Sequence, residues 1–139
     1  MTDTQAVRAA NEEFYRALEE LDLAGMTQLW LHEDWVHCVH PGSDLVHGWT
    51  AVRESWEQIF DRTVWINVAP TNVDVRMAGE FAIVVCCENI TSKHEDDVRV
   101  AVALATNIYL RTPTGWRMVH HHASPAPVSV TAPFSGTVQ

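Results

Sequence analysis

The sequence predicts an α+β domain in which helices come first and pack on one face of a curved antiparallel sheet. Two observations carry this. In the first 60 residues, apolar side chains recur mainly at spacings of three and four; from Thr63 onward the pattern changes to period two or to continuous apolar runs. Helices followed by a meander of strands, rather than alternating with them, give the helices one shared face of the sheet to cover. The length agrees, because 139 residues suit one domain and such a domain buries well over half of its unfolded surface.

Val7, Ala10, Phe14, Leu18 and Leu21 form the apolar stripe of a helix over residues 3–21, with Glu12 and Arg16 paired on the opposite side and Thr2 and Gln5 placed to close a capping box. Asp22 then caps a shorter helix whose Leu23, Met26 and Trp30 share a face. Residues 35–40 (W-V-H-C-V-H) read as a short strand stopped by Pro41-Gly42-Ser43-Asp44. A third helix follows Gly48, and its Trp49, Val52, Trp56, Ile59 and Phe60 point large side chains at the interior. Four antiparallel strands follow at 64–78, 80–92, 97–111 and 116–124, and the tail from Pro125 carries no clear period. The domain is placed at 1–128 and a C-terminal extension at 129–139.

Eighteen acidic against nine basic residues give a formal charge of −9 with no concentrated basic patch, so neither nucleic acid nor an anionic membrane surface is an expected partner. No apolar run approaches the ~20 residues of a membrane span, and the N-terminus resembles no signal peptide, which points to a cytoplasmic protein. Three cysteines, two of them adjacent (Cys86 and Cys87) and none in a C-x-x-C pattern, read as reduced, packed thiols.

The order helix, helix, short strand, helix, four long strands resembles the nuclear transport factor 2-like superfamily over roughly residues 5–128, and the local wording is similar to its SnoaL-like branch. The last strand, W-R-M-V-H-H-H-A-S-P-A-P from Trp116, resembles the end of the association (hub) domain of calcium/calmodulin-dependent protein kinase II. The resemblance implies a cone-shaped, cystatin-like roll whose bent sheet wraps the first helix and encloses a pocket, and a homodimer formed through the sheet. Its members range from isomerases, cyclases, dehydratases and hydrolases to plain assembly modules, so function has to come from the pocket lining.

Three consecutive histidines, His120, His121 and His122, suggest a metal site, but strand alternation turns His121 away from the other two. Thr112-Pro113-Thr114-Gly115 suits a turn with Gly115 as a bulge, which pairs Thr112 with Trp116 and Asn107 with His121. Ala101, Ala103, Ala105, Asn107, His121 and Ala123 then share one face, and Val100, Val102, Leu104, Ile108, Met118, His120 and His122 the other. A two-residue loop would set Asn107 beside His120 and reverse the assignment. Aligned with the kinase hub, Glu88, Asn107 and Ala123 stand where that pocket carries arginines, which argues against a small carboxylate as ligand.

The candidate site is therefore Glu88, His121 and Asn107 as polar groups, with Trp30, His40, Trp56, Phe60 and Tyr109 around them. Glu88 or His121 would act as base and Asn107 would orient an oxygen, because burial pushes carboxyl and imidazole pKa values toward useful ones. A Glu88–His121 pair that only stabilises the sheet is the competing reading. No metal or other cofactor is expected; His40, His120 and His122 are the alternative ligand set. The expected partners are a small hydrophobic or polyketide-like molecule and a second copy of the chain. The enzyme reading, an acid/base isomerase, cyclase, dehydratase or hydrolase, stands beside that of a non-catalytic binding or assembly module.

Overall fold

A computed structural model of the chain describes residues 1–127. Helix α1 (Asp3–Glu19) starts where its capping box lies: the Thr2 hydroxyl accepts from the Gln5 backbone N–H at 3.1 Å, and the Gln5 side chain accepts from the Thr2 backbone N–H at 2.8 Å. It stops at Glu19 rather than at residue 21, since Leu21 takes a left-handed backbone (φ 52°) that no helix continues through. Asp22 caps α2 (Leu23–Leu29), accepting from the Gly25 N–H at 3.0 Å. Trp30, expected on this helix, instead leaves it with extended backbone and bridges to Met118.

The expected strand at 35–40 shortens to β1 (His37–Val39), and the Pro41–Asp44 turn folds the chain back into a strand the sequence pattern did not indicate, β2 (Leu45–His47). Three residues are too few to show a period. Helix α3 (Trp49–Arg62) follows Gly48, whose φ of 87° suits glycine.

β3 (Trp65–Ala78), β4 (Phe81–His94), β5 (Asp97–Thr112) and β6 (Gly115–Ala126) form the antiparallel meander, and one curved sheet of six strands results, in the order β2-β1-β6-β5-β4-β3. This sheet is mixed rather than antiparallel throughout: β1 runs parallel to β6, with His37, Cys38 and Val39 beside His120, His121 and His122. β1 meets β6 only after α3 and the whole meander, so nothing local to either segment records their relative direction. β6 also runs past residue 124 and includes Pro125, opposite Ala103. Pairing with β1 ends at His122, so a residue without an N–H is tolerated on that open flank. The expected extension at 129–139 lies outside the described residues.

The β5–β6 hairpin reaches the expected pairing by a different device. Thr112 pairs with Gly115, so the loop has two residues, Pro113 and Thr114, and Gly115 is not the bulge. Continued unbroken, that register would set Asn107 beside His120. The extra residue sits further along: Tyr109 pairs with Met118 but Ile108 with His120, leaving Val119 as a bulge that restores Asn107 opposite His121. Met118 consequently turns inward and is fully buried, whereas the sequence pattern put it on the outer face.

α1 lays Val7, Asn11, Phe14, Tyr15 and Leu18 against the concave face of the sheet. That face contributes Ala82, Val84, Cys86 and Glu88 from β4, Ala103, Ala105, Asn107 and Tyr109 from β5, and Met118, His121 and Ala123 from β6, all buried. The opposite face leaves Val85, Val98, Val100 and Leu104 exposed. No helix among the described residues is long and apolar enough to cross a membrane.

Candidate functional site

Six buried side chains of the concave face and α1 form one hydrogen-bonded chain. Alternation along β4 points Glu88 inward between Cys86 and Ile90, and alternation along β5 does the same for Asn107 between Ala105 and Tyr109. From α1, Asn11 and Tyr15 stand one turn apart on the side that faces the sheet. The Tyr15 hydroxyl donates to Glu88 Oε2 at 2.6 Å. Asn107 Nδ2 donates to Asn11 Oδ1 at 2.9 Å and to the Tyr15 oxygen at 3.2 Å, and the Tyr109 hydroxyl donates to Asn11 Oδ1 at 2.8 Å. Asn107 Oδ1 is 2.6 Å from His121 Nδ1.

These bonds assign hydrogens. With both amide hydrogens of Asn107 given to Asn11 and Tyr15, its oxygen accepts from His121, which must carry its proton on Nδ1. His121 Nε2, on the other flank of the ring, is then an unprotonated acceptor with no hydrogen-bond partner among the described residues. The Tyr15 proton points at Glu88, so Cys86 Sγ, 3.2 Å from the Tyr15 oxygen, is left to donate to it.

Burial governs the charges. Glu88 is pushed up to about 7, chiefly by desolvation of its carboxylate and against the pull of the Tyr15 bond. Burial, then the Glu88 carboxylate, holds Tyr15 well above the ordinary phenol range. His121 is held well below the ordinary imidazole value by burial first and by the neighbouring histidines second, and His40 is lowered to about 4 by burial. Burial also raises Cys86 to about 11 and Cys38 further, so neither thiol is a nucleophile near neutrality.

Aromatic side chains close over His121. Phe14 packs on its ring at 4.8 Å and Trp56 lies 5.9 Å away, with Phe60 5.8 Å beyond Trp56. His40 stands edge-on to Trp56 at 4.6 Å and 6.5 Å from His121. Its Nε2 meets Ser55 Oγ at 2.9 Å; because Ser55 gives its own proton to the Val52 carbonyl, His40 is the donor. Of the residues singled out from the sequence, Glu88, Asn107, His121, His40, Trp56 and Phe60 thus gather on the concave side.

Others take different places. Asn107 gives its two amide hydrogens to Asn11 and Tyr15, and its oxygen meets His121 Nδ1. Tyr109, fully buried, is tied to Asn11 behind the network, and Trp30 packs on Trp49 and bridges to Met118. Glu88 and His121 make no direct bond, because Tyr15 and Asn107 stand between them. His120 and His122 lie on the outer face, opposite His40, and no group of three metal-ligating side chains converges among the described residues.

Asn11 and Tyr15 are not among the residues expected from the sequence pattern. Their signal was present: Asn11 interrupts the stripe Val7, Phe14, Leu18 with a polar side chain at core spacing, which needs a buried partner.

The family described as the SnoaL-like domain matches residues 7–129. A candidate dehydratase of the NTF2-like family from Streptomyces avermitilis is 36% identical, with a TM-score of 0.85 over 90% of this chain and 96% of that one. A candidate calcium/calmodulin-dependent protein kinase type II association domain from Thiobacillus denitrificans is 34% identical, with a TM-score of 0.77 over 86% of this chain and 94% of that one. The F-box protein SKIP8 of Arabidopsis thaliana is 31% identical over 121 residues, which cover 87% of this chain and 50% of that protein, so the chain spans about half the length of this curated relative.

Proposed function

The chain belongs to the SnoaL-like domain family, and on that premise we propose that it binds a small, largely apolar molecule against its concave face and moves a proton on it, with Glu88 as the acid/base group. The observation that carries this reading is the Tyr15–Glu88 bond of 2.6 Å inside an apolar interior. A carboxyl near 7 is present in both protonation states at neutral pH, which is what a group that takes a proton in one step and returns it in the next requires.

The supporting residues have distinct tasks. Tyr15 holds one Glu88 oxygen, leaving the other to face a substrate. Asn107 fixes Tyr15 and keeps His121 neutral with Nε2 unprotonated, so His121 can accept a substrate hydrogen. Phe14, Trp56 and Phe60 supply apolar walls beside His121. The similarity to a candidate dehydratase favours a β-elimination of water, in which a base removes a C–H proton and the same acid returns a proton to the leaving hydroxyl.

The test is a screen of small apolar alcohols and ketones for binding and turnover, repeated with Glu88→Gln and Tyr15→Phe. Binding that survives Glu88→Gln while turnover is lost supports the reading; turnover that survives it rules Glu88 out.

A second reading, a non-catalytic assembly module working through the sheet as a homodimer or larger ring, is favoured by one observation. The outer face exposes Val98 (58%), Val100 (62%), Leu104 (48%) and Val85 (45%), an apolar surface on an acidic chain. The similarity to a kinase association domain accords with it.

A further inference from the structure

Four histidines gather on the outer face of the sheet. The strand registers set His47, His37 and His120 beside one another on β2, β1 and β6, and His122 follows two residues along β6 on the same side. Their rings are near neighbours: centroids lie 4.8 Å apart for His37 and His47, 6.0 Å for His37 and His120, and 6.3 Å for His120 and His122. The row runs into the apolar part of the face. Ile108 stands beside His120, Thr106 beside His122, and Val85 beside Thr106. His120, His122, Val85 and Leu104 border one shallow hollow of about 360 Å³.

Few charges face this row. The chain has eighteen acidic residues, yet among the described residues only Asp74 stands at an outward position of a strand, on the edge strand β3, where Arg76 holds it at 3.0 Å. Glu33, Asp34 and Glu54 share a hollow with His47 at the far end of the row. Lys93 and Arg117 lie near strand ends, and the Arg117 guanidinium is tied to Thr114. Across β4, β5, β6 and β1, no carboxylate stands beside His37, His120 or His122. A face that meets its own copy across a two-fold axis must not repel itself. Here imidazoles and aliphatic side chains replace the carboxylates that give the chain its charge of −9, and the centre of an interface is depleted of charge in the same way. Protons added to the row would gather like charges within one ring spacing with no carboxylate to offset them, and a second copy would double that set and strip it of water. Burial, then His37 and His122, already holds His120 below the ordinary imidazole value.

We infer that His37, His120 and His122 form a proton-sensitive switch on self-association: with the row neutral, two copies of the chain join through this face, and protons taken up by the row separate them. This rests on the assembly reading above.

The experiment follows the mass of the full chain by light scattering over a range of concentrations at about pH 7.5 and about pH 5.5, on either side of the ordinary histidine value. Circular dichroism at both pH values checks the fold, and the triple variant His37→Gln, His120→Gln, His122→Gln is measured in parallel. The wild type should associate at the higher pH, and its dimer dissociation constant should rise about tenfold or more at the lower, since each proton taken up on separation contributes up to about a factor of ten per pH unit. The variant should stay associated at both, its constant changing by less than about threefold. In the wild type, the His120 imidazole signal should also titrate at a lower pH in concentrated than in dilute protein, a readout that does not depend on the variant. Wild-type association that ignores pH, a variant that separates in acid as the wild type does, or a His120 midpoint independent of concentration overturns the switch and leaves the assembly in place. A wild type that is monomeric at the higher pH at every concentration overturns the assembly reading, and the switch with it.

Discussion

The Tyr15 hydroxyl donates to Glu88 Oε2 at 2.6 Å across 73 positions of sequence, and both side chains are buried. The bond joins the first helix to the fourth strand, and its Tyr15 oxygen also accepts from Asn107 Nδ2 at 3.2 Å. It therefore sets the ionisation of Glu88 and also fastens α1 to the sheet.

Removing the phenol hydroxyl should move both properties. In Tyr15→Phe, Glu88 loses the one hydrogen bond that favours its charged form, so its pKa should rise above the wild-type value of about 7. Asn107 and Cys86 lose their shared acceptor at the same time. The loss of stability should be about 1–3 kcal/mol, read from denaturant unfolding. A stability unchanged within error, or a lower Glu88 pKa, would contradict the network.

The pH dependence of stability has opposite contributions from Glu88 and the buried histidines. Between 4.5, its ordinary value, and about 7, Glu88 holds a proton in the folded state that the unfolded state has released, so its contribution is full below 4.5 and is lost as pH rises to 7. His40, lowered from 6.5 to about 4, behaves oppositely: its contribution is present above 6.5 and is lost as pH falls toward 4, and His121 acts in the same sense. Glu88 and His40 largely offset each other in the wild type, which leaves the contribution of His121. Glu88→Gln isolates them: relative to wild type, its stability should improve by up to about 3 kcal/mol on going from pH 4.5 to 7, and its own stability should fall steeply in acid. Parallel curves for variant and wild type would show that Glu88 has an ordinary pKa.

Asn107 is the centre of the network and should tolerate little. Asn107→Leu leaves Asn11, Tyr15 and His121 short of partners in an apolar interior, with an expected cost of about 3 kcal/mol or more. The more specific readout is the His121 tautomer. Nitrogen NMR of the wild type should find Nδ1 protonated and Nε2 bare, and the variant should lose that preference. An Nε2–H tautomer in the wild type would show that the Asn107 amide is oriented the other way.

Much of this was legible in the sequence, and the parts that were not share a cause. The spacing of Val7, Phe14 and Leu18 and of Val52, Trp56 and Phe60 marked two helices and their buried sides, and alternation put Glu88, Asn107 and His121 on the buried face. Those are one-dimensional signals repeated over several turns or pleats. What they do not encode is single events. One bulged residue, Val119, determines which of His120 and His121 faces Asn107, and neither its identity nor its neighbours announce it; the Pro113–Gly115 turn suggested an extra residue at the wrong place. The direction of β1 and the existence of β2 depend on contacts with segments about 80 residues away or on three-residue stretches. Asn11 and Tyr15 do not stand out in the apolar stripe of α1, which records what the helix buries, yet the polar Asn11 within that stripe marks where the network attaches.

The outer face gives a further expected outcome. Val100→Asp together with Leu104→Asp places charges on two exposed positions, so the fold should be retained. If copies of the chain associate through the sheet, light scattering should show the assembly of the wild type reduced to monomer in this variant. An unchanged assembly would locate the contact elsewhere.

The central claim is that Glu88 is a buried carboxyl, held by Tyr15 and able to exchange a proton near neutral pH. Carbon NMR of the side-chain carboxyl, with Glu88→Gln used to assign the signal, measures this directly. The account predicts a single titration with its midpoint at about 7, moving upward in Tyr15→Phe. A midpoint near the ordinary 4.5, unmoved by Tyr15→Phe, would contradict it.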